Sequence, residues 1–257
     1  MRVGFIEARG ATRLADLRQQ GCLKCILPRV YHDGAEGVLV NTSGGVTGGD
    51  RLSTDISVGA GARVSMTTQA AERIYRTTDG SSGRITTRIT VGAGARLHWL
   101  PQETILFDRA ALDRRLDVAL APDATLLATE TLVFGRAAMG EVVTQLALHD
   151  RIAVDRAGVP LYRDAVAVTG NADALLARAG IGQGAGVVST ALYAAADAEA
   201  QLDAVRVLLG QDGGVSLRSP GLLVIRVLAR DSLALRRILI PVLEHLSGMP
   251  LPSVWRL

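Results

Sequence analysis

Apolar and polar residues alternate with a period of two along much of the first two thirds of the chain. Leu52, Thr54, Ile56 and Val58 alternate with Ser53, Asp55 and Ser57, and Ile85, Thr87, Ile89 and Val91 alternate with Thr86, Arg88 and Thr90. Leu116, Val118 and Leu120 repeat the pattern against Arg115, Asp117 and Ala119. Further period-two pairs follow at Val64/Met66, Leu97/Trp99 and Leu126/Ala128. Successive strand side chains point to opposite faces, so each stretch predicts a strand with one buried and one wet face. Between the paired stretches lies a repeat. Val58-Gly59-Ala60-Gly61-Ala62-Arg63 recurs letter for letter as Val91-Gly92-Ala93-Gly94-Ala95-Arg96, and a degenerate copy begins at Leu120-Ala121-Pro122-Asp123-Ala124-Thr125. The starts at positions 58, 91 and 120 give spacings of 33 and 29 residues. Gly supplies the backbone freedom that a tight reversal needs, so these segments predict turns.

Residues from about 35 to 170 therefore read as stacked strand–turn–strand units, none of which can bury its apolar face alone. The predicted fold is mainly β, either β-solenoid-like or a layered sheet. An ordinary antiparallel sandwich with similar turns is the alternative. The pattern then changes. Residues 195–209 are rich in Ala and Leu and predict a helix; residues 215–217 and 222–228 predict a hairpin. A second helix is predicted from the N-cap pair Asp231-Ser232 to His245, kinked by Pro241 and ended by Gly248, with an extended Pro250-Leu251-Pro252 tail. Two parts follow: a β-rich body over 1–185 and a small α+β part with about two helices over 186–257, packed on it.

Composition narrows the function classes. The 28 Lys and Arg against 25 Asp and Glu give a formal charge of +3, and the excess is almost all Arg, Lys24 being the sole lysine. These charges are scattered rather than clustered, which argues against nucleic acid or a polybasic membrane patch. No apolar run reaches the roughly 18 residues of a membrane span, and the N-terminus lacks a signal peptide's apolar core. Two cysteines make no disulfide framework. These features predict a soluble, cytoplasmic protein.

Candidate chemistry is sparse. The glycine-rich run Asn41-Thr42-Ser43-Gly44-Gly45-Val46-Thr47-Gly48-Gly49-Asp50 ends in a carboxylate where a phosphate loop needs Lys and a hydroxyl, so no bound nucleotide is expected. Cys22 and Cys25 form a C-x-x-C, but a structural zinc site needs four ligands and no second pair exists, so two small buried hydrophobes are expected. The four histidines, His32, His98, His149 and His245, come with no G-x-S-x-G elbow. The carboxylates say more. Asp50 is in phase with Leu52 and Ile56, Glu130 with Leu126, Ala128 and Leu132, and Asp164 with Tyr162, Val166 and Val168. These three are expected to face the core, whereas Asp55 and Asp117 fall on the wet side; Glu103 is a further candidate whose phase Pro101 interrupts. A buried carboxylate must be paired, protonated or metal-facing. Pairing with Arg or backbone, or a polar interior lined by carboxylates, both satisfy that requirement.

Five blocks, in order along the chain, resemble the signatures of the UreD (UreH) urease accessory family. They are Ser43-Gly44-Gly45-Val46-Thr47-Gly48-Gly49-Asp50-Arg51-Leu52, residues 67–76 (Thr67 to Arg76), residues 97–107 (Leu97-His98-Trp99-Leu100-Pro101-Gln102-Glu103 to Phe107), residues 134–141 (Phe134-Gly135-Arg136 to Glu141) and Pro252-Ser253-Val254-Trp255. Ser253 stands where Arg is common in the family, and the C-x-x-C is not part of its pattern. The resemblance implies a mainly β protein that is no enzyme but a metallochaperone scaffold for one. Its implied partners are the helical protein UreF, the GTPase UreG and apo-urease, in an assembly containing two copies of this chain. The implied task is nickel delivery to a carbamylated lysine of urease, with nickel in transit and no nucleotide on this chain. By motif position, Asp50, Glu130 and Asp164 match the family's carboxylates along an interior nickel route.

Overall fold

The computed structural model describes residues 1–30 and 34–255; His32 lies outside the described residues. The described residues form seventeen strands: β1 (Arg2–Ala8), β2 (Ala11–Arg18), β3 (Leu23–Ile26), β4 (Ala35–Asn41), β5 (Arg51–Val58), β6 (Arg63–Thr68), β7 (Glu72–Ile74), β8 (Gly83–Val91), β9 (Arg96–Leu100), β10 (Thr104–Leu106), β11 (Ala110–Leu120), β12 (Thr125–Phe134), β13 (Leu146–Arg156), β14 (Val159–Gly170), β15 (Val187–Ala194), β16 (Gly213–Ser219) and β17 (Leu222–Ala229). Three α-helices accompany them: α1 (Ala172–Leu176), α2 (Ala198–Leu209) and α3 (Ser232–Ser247).

The chain passes back and forth between two sheets. The seven-stranded sheet has the order β14-β13-β11-β8-β5-β1-β2, and the ten-stranded sheet runs β16-β17-β15-β12-β9-β6-β4-β3, with β7 and β10 beside the end of β12. The pairs β5/β8, β8/β11 and β11/β13 in the first sheet, and β4/β6, β6/β9 and β9/β12 in the second, are all parallel. Parallel neighbours joined through the opposite sheet make a solenoid-like coil and exclude the antiparallel alternative. The sequence repeat is the register of this stack. Val58 pairs with Val91 and Val91 with Leu120, while Arg63 pairs with Arg96 and Arg96 with Thr125. The turns stack as well: Gly92 N–H donates to Val58 O and Gly61 N–H to Ala93 O, at 2.8 and 2.9 Å. Ala62, Ala95 and Ala124 are buried beneath them.

Antiparallel strands flank the parallel stack and form its outer edges. β2 lies antiparallel on β1, β14 on β13 and β3 on β4. The ten-stranded sheet continues past β12 through antiparallel β15, β17 and β16, so the strands after residue 186 extend the same sheet. α2 and α3 cover the outer face of that extension, where Leu209, Leu235, Leu239, Val242 and Leu243 bury against Leu223, Ile225 and Val227. Asp231 caps α3 by accepting from Ala234 N–H at 2.8 Å, the helix continues through Pro241, and Gly248 ends it at φ +65°. Beyond it, the buried Trp255 donates its indole N–H to Leu100 O at 3.0 Å. Among the described residues, no helix is long and apolar enough to cross a membrane.

Candidate functional site: a charged seam between the sheets

Two apolar clusters fill the space between the sheets. One gathers Val58, Val91, Leu120, Ile152 and Trp99 beneath the stacked turns; the other gathers Val46, Ile74, Leu106, Leu112 and Leu148 towards the opposite end. Polar groups run between them. Arg114 points inward from β11, being in phase with Leu112, Leu116 and Val118. Its Nε and Nη2 grip Asp150 of the neighbouring β13 at 2.8 and 2.6 Å, and its Nη1 reaches across to Glu130 of β12 at 2.7 Å and to Thr104 Oγ1 at 2.9 Å. Trp99 Nε1 donates to the other oxygen of Glu130 at 2.8 Å. All five residues are buried.

This cluster carries one cation against two carboxylates. Burial pushes the Glu130 carboxyl above its ordinary value and Asp150 pushes the same way, outweighing the opposing pull of Arg114 and Trp99. Further along, Glu130, Thr190 and Arg226 occupy one register row of the ten-stranded sheet. Arg226 Nη2 meets Asp164 of β14 across the gap between the sheets at 2.6 Å and reaches Tyr162 Oη at 3.3 Å.

Three separate cavities border these groups. A cleft of about 230 Å³ opens beside Asn41, Glu72 and Gln69 and reaches inward to Thr54, Thr87, Arg114 and Glu130. Gln102 lines it too, with Nε2 buried and unpartnered among the described residues. Burial pushes Glu72 at its mouth upward, against two hydrogen bonds from Asn41 Nδ2. On the far side of Glu130, a space of about 10 Å³ lies among Asp150, Asp164 and Thr190. Arg226, the partner of Asp164, then lines an open groove with residues 182–185 and Gly213-Gly214. Among the described residues, no three His, Cys, Asp or Glu side chains converge to hold a metal ion.

The structure sorts the sequence candidates. Glu130 faces the interior as expected, and Asp164 faces inward at the sheet edge, 18% exposed. Asp50 does not: it is exposed and accepts from Thr47 N–H at 2.9 Å. β5 begins only at Arg51, so alternation cannot be extrapolated through the glycine-rich turn before it. Glu103 is buried but faces α3, where Arg236 Nε and Nη2 hold its two oxygens at 2.9 and 3.1 Å. Asp55 and Asp117 sit on the outer face beside Arg88 and Arg115. Arg114 and Asp150 were missed, although Asp150 is in phase with Leu148, Ile152 and Val154; testing parity on every charged residue finds both. Cys25 is buried in the core, where burial pushes its thiol up to about 11, while Cys22 lies in the turn before β3, half-buried. Neither is disulfide-bonded.

The glycine-rich run is a close-packed corner. Asn41 Nδ2 donates to Gly45 O at 3.1 Å and Tyr75 Oη to Gly44 O at 2.9 Å. A Cβ on Gly45 would come within 2.3 Å of the Tyr75 ring.

The sequence matches the family described as UreD urease accessory protein over residues 1–256. The chain belongs to the UreD family. A urease accessory protein UreD of Roseobacter denitrificans is 46% identical over 256 residues, covering 100% of this chain and 93% of the relative. Those of Ruegeria pomeroyi and Methylobacterium sp. are 47% and 46% identical, covering 93% and 98% of this chain and 93% and 91% of theirs. Family membership places the resemblance of the five blocks on the whole chain.

Proposed function

We propose that this protein is a non-catalytic accessory factor in urease maturation. In this reading it acts in the cytoplasm with UreF and the GTPase UreG, two copies per assembly, to deliver nickel to apo-urease. The observation that carries the reading is near-complete coverage at 46% identity with proteins named urease accessory protein UreD. Supporting an interior route is the run of charged groups from the Glu72 cleft through Glu130 and Asp150 to Asp164. Oxygen ligands hold nickel more weakly than imidazole or thiolate, which suits an ion that must leave as well as enter. On this route Arg114 and Arg226 swing aside as the ion passes, and Glu130 gives up any proton it holds. Asp50, at the surface, serves at most as an outer station.

A second reading has its own observation. Glu130 and Asp164 are both neutralised by arginines, as structural carboxylates are. A scaffold that only holds partners together needs nothing more.

The two readings separate in cells carrying matched urease genes without UreD. Complementation with this chain should restore urease activity and nickel in the enzyme. Glu130→Gln and Asp164→Asn should lower urease nickel at least several-fold while the complex with UreF and UreG still co-purifies. Full nickel loading by both variants would support the scaffold instead. Failure of the unaltered, well-expressed chain to restore activity would remove the maturation reading altogether.

A further inference from the structure

The repeat that builds the coils also sets two arginines side by side. Arg63 and Arg96 end the two identical turn segments and are register partners on parallel neighbours β6 and β9. Ser65 and His98 stand two residues further along the same strands, on the same face, and are partners in turn. Like charges on adjacent strands cost stability unless an opposite charge lies between them. Among the described residues, no carboxylate lies within ion-pair distance of Arg63 or Arg96, whereas eleven other arginines have such a partner. The third coil carries Thr125 at this position, so stacking itself needs no arginine there.

Arg63, Ser65, Arg96 and His98 line a pocket of about 200 Å³, walled on one side by Ser247, Gly248 and Met249 after α3. His98 is 3% exposed, and the only side-chain hydrogen bond it makes among the described residues joins Nδ1 to Ser65 Oγ at 3.3 Å. Burial and the Arg96 charge hold its imidazole down at about 4, so the ring is neutral at pH 7. When Nδ1 accepts from the Ser65 hydroxyl, Nε2 carries the proton and is a donor without a partner. The end of a helix contributes about half a negative charge, which opposes an anion, but two guanidinium groups outweigh it. Ser247 Oγ has Glu244 O and Met249 O in reach, at 3.1 and 2.5 Å, and its one proton satisfies one of these carbonyls of that wall.

We propose that this pocket binds an oxyanion of the phosphate or carboxylate class, held by the Arg63 and Arg96 guanidiniums, with His98 Nε2, whose tautomer Ser65 sets, as a further donor. The site lies on the outer face of the ten-stranded sheet, apart from the charged seam, and stands whether or not nickel takes the interior route. Arginine forks match two oxygens at once, and a pair at one strand spacing brackets a single oxyanion.

The test is an NMR titration of the full-length protein, following the His98 ring signals. Sodium phosphate and sodium acetate are added separately at constant ionic strength, with sodium chloride as reference. A saturable His98 shift with either oxyanion and none with chloride is expected, and Arg63→Gln and Arg96→Gln should each weaken it tenfold or more while remote signals stay unchanged. Saturation by phosphate alone would assign a tetrahedral dianion; equal saturation by acetate would assign a carboxylate. A chloride-like linear drift for both anions, or wild-type affinity in both arginine variants, would overturn the site.

Discussion

Between the sheets, Arg114 answers two carboxylates at once, with a two-point grip on Asp150 and a single contact to Glu130. Breaking a buried pair from one side leaves uncompensated charge and costs roughly 3–5 kcal/mol. Arg114→Met should therefore lose about that much in urea denaturation, and adding Asp150→Asn should recover a substantial part of it. A single variant as stable as the parent would show that the cluster contributes no net electrostatic stability. His98 supplies a pH prediction. Its folded value of about 4 lies below the ordinary 6.5, so between these limits the unfolded chain binds the extra proton. The stability it contributes is complete above pH 6.5 and is lost as pH falls towards 4. In phosphate-free buffer, His98→Gln should flatten the fall of stability across that window, seen as a smaller drop in Tm than the parent's. Parallel curves for the two proteins would contradict a buried neutral imidazole.

At the scale of elements, the coil depends on turns that nest. Gly92 lies against the preceding turn so closely that a Cβ would sit 2.8 Å from Ala60 N and 3.1 Å from Gly59 C. Neither is the end of a flexible side chain, so the coil must shift to make room. Gly92→Ala should cost about 1–3 kcal/mol, the range for overpacking, measured as a lower urea midpoint with an unchanged slope. An unaffected midpoint would mean that neighbouring coils slide freely. The elements were largely legible in sequence because their determinants are local. Alternation gave the strands, the letter-for-letter repeat gave coils in register, and the Asp231 cap and Gly248 bounded the second helix. Strands β1 to β3, ahead of residue 35, were not predicted, and short β7, β10 and α1 were missed as well; at three to five residues the latter show no full period of any pattern.

At the scale of the whole molecule, the C-terminal tail locks the helical layer to the coil. Trp255 is 4% exposed, bonds Leu100 O and lies with Arg236 Cζ 5.4 Å from its ring centroid, while Arg236 also holds Glu103 and Gln102. Two blocks that carry the family resemblance, 97–107 and 252–255, thus meet in one joint. Truncating a buried Trp costs roughly 3–5 kcal/mol, which for a chain of this size lowers Tm on the order of 10 °C. Trp255→Ala should show that drop by circular dichroism in a single transition. Helical signal lost well before the sheet signal would mean instead that the helical layer unfolds on its own.

Whatever depended on neighbours in sequence was determined by the sequence itself: strand phase, turn positions, coil register, helix caps and the inward aim of Glu130. Tertiary structure decided the rest, because charge pairing is a property of space. Parity placed Glu130 inside but could not show that Arg114, 16 positions earlier, and Asp150, 20 positions later, would meet it. It failed at Asp50 because a turn resets the phase, and it left Glu103 open because Pro101 interrupts the alternation. Arg63 and Arg96 were visible as two copies of one motif; only the register that stacks them turned a repeat into a pocket.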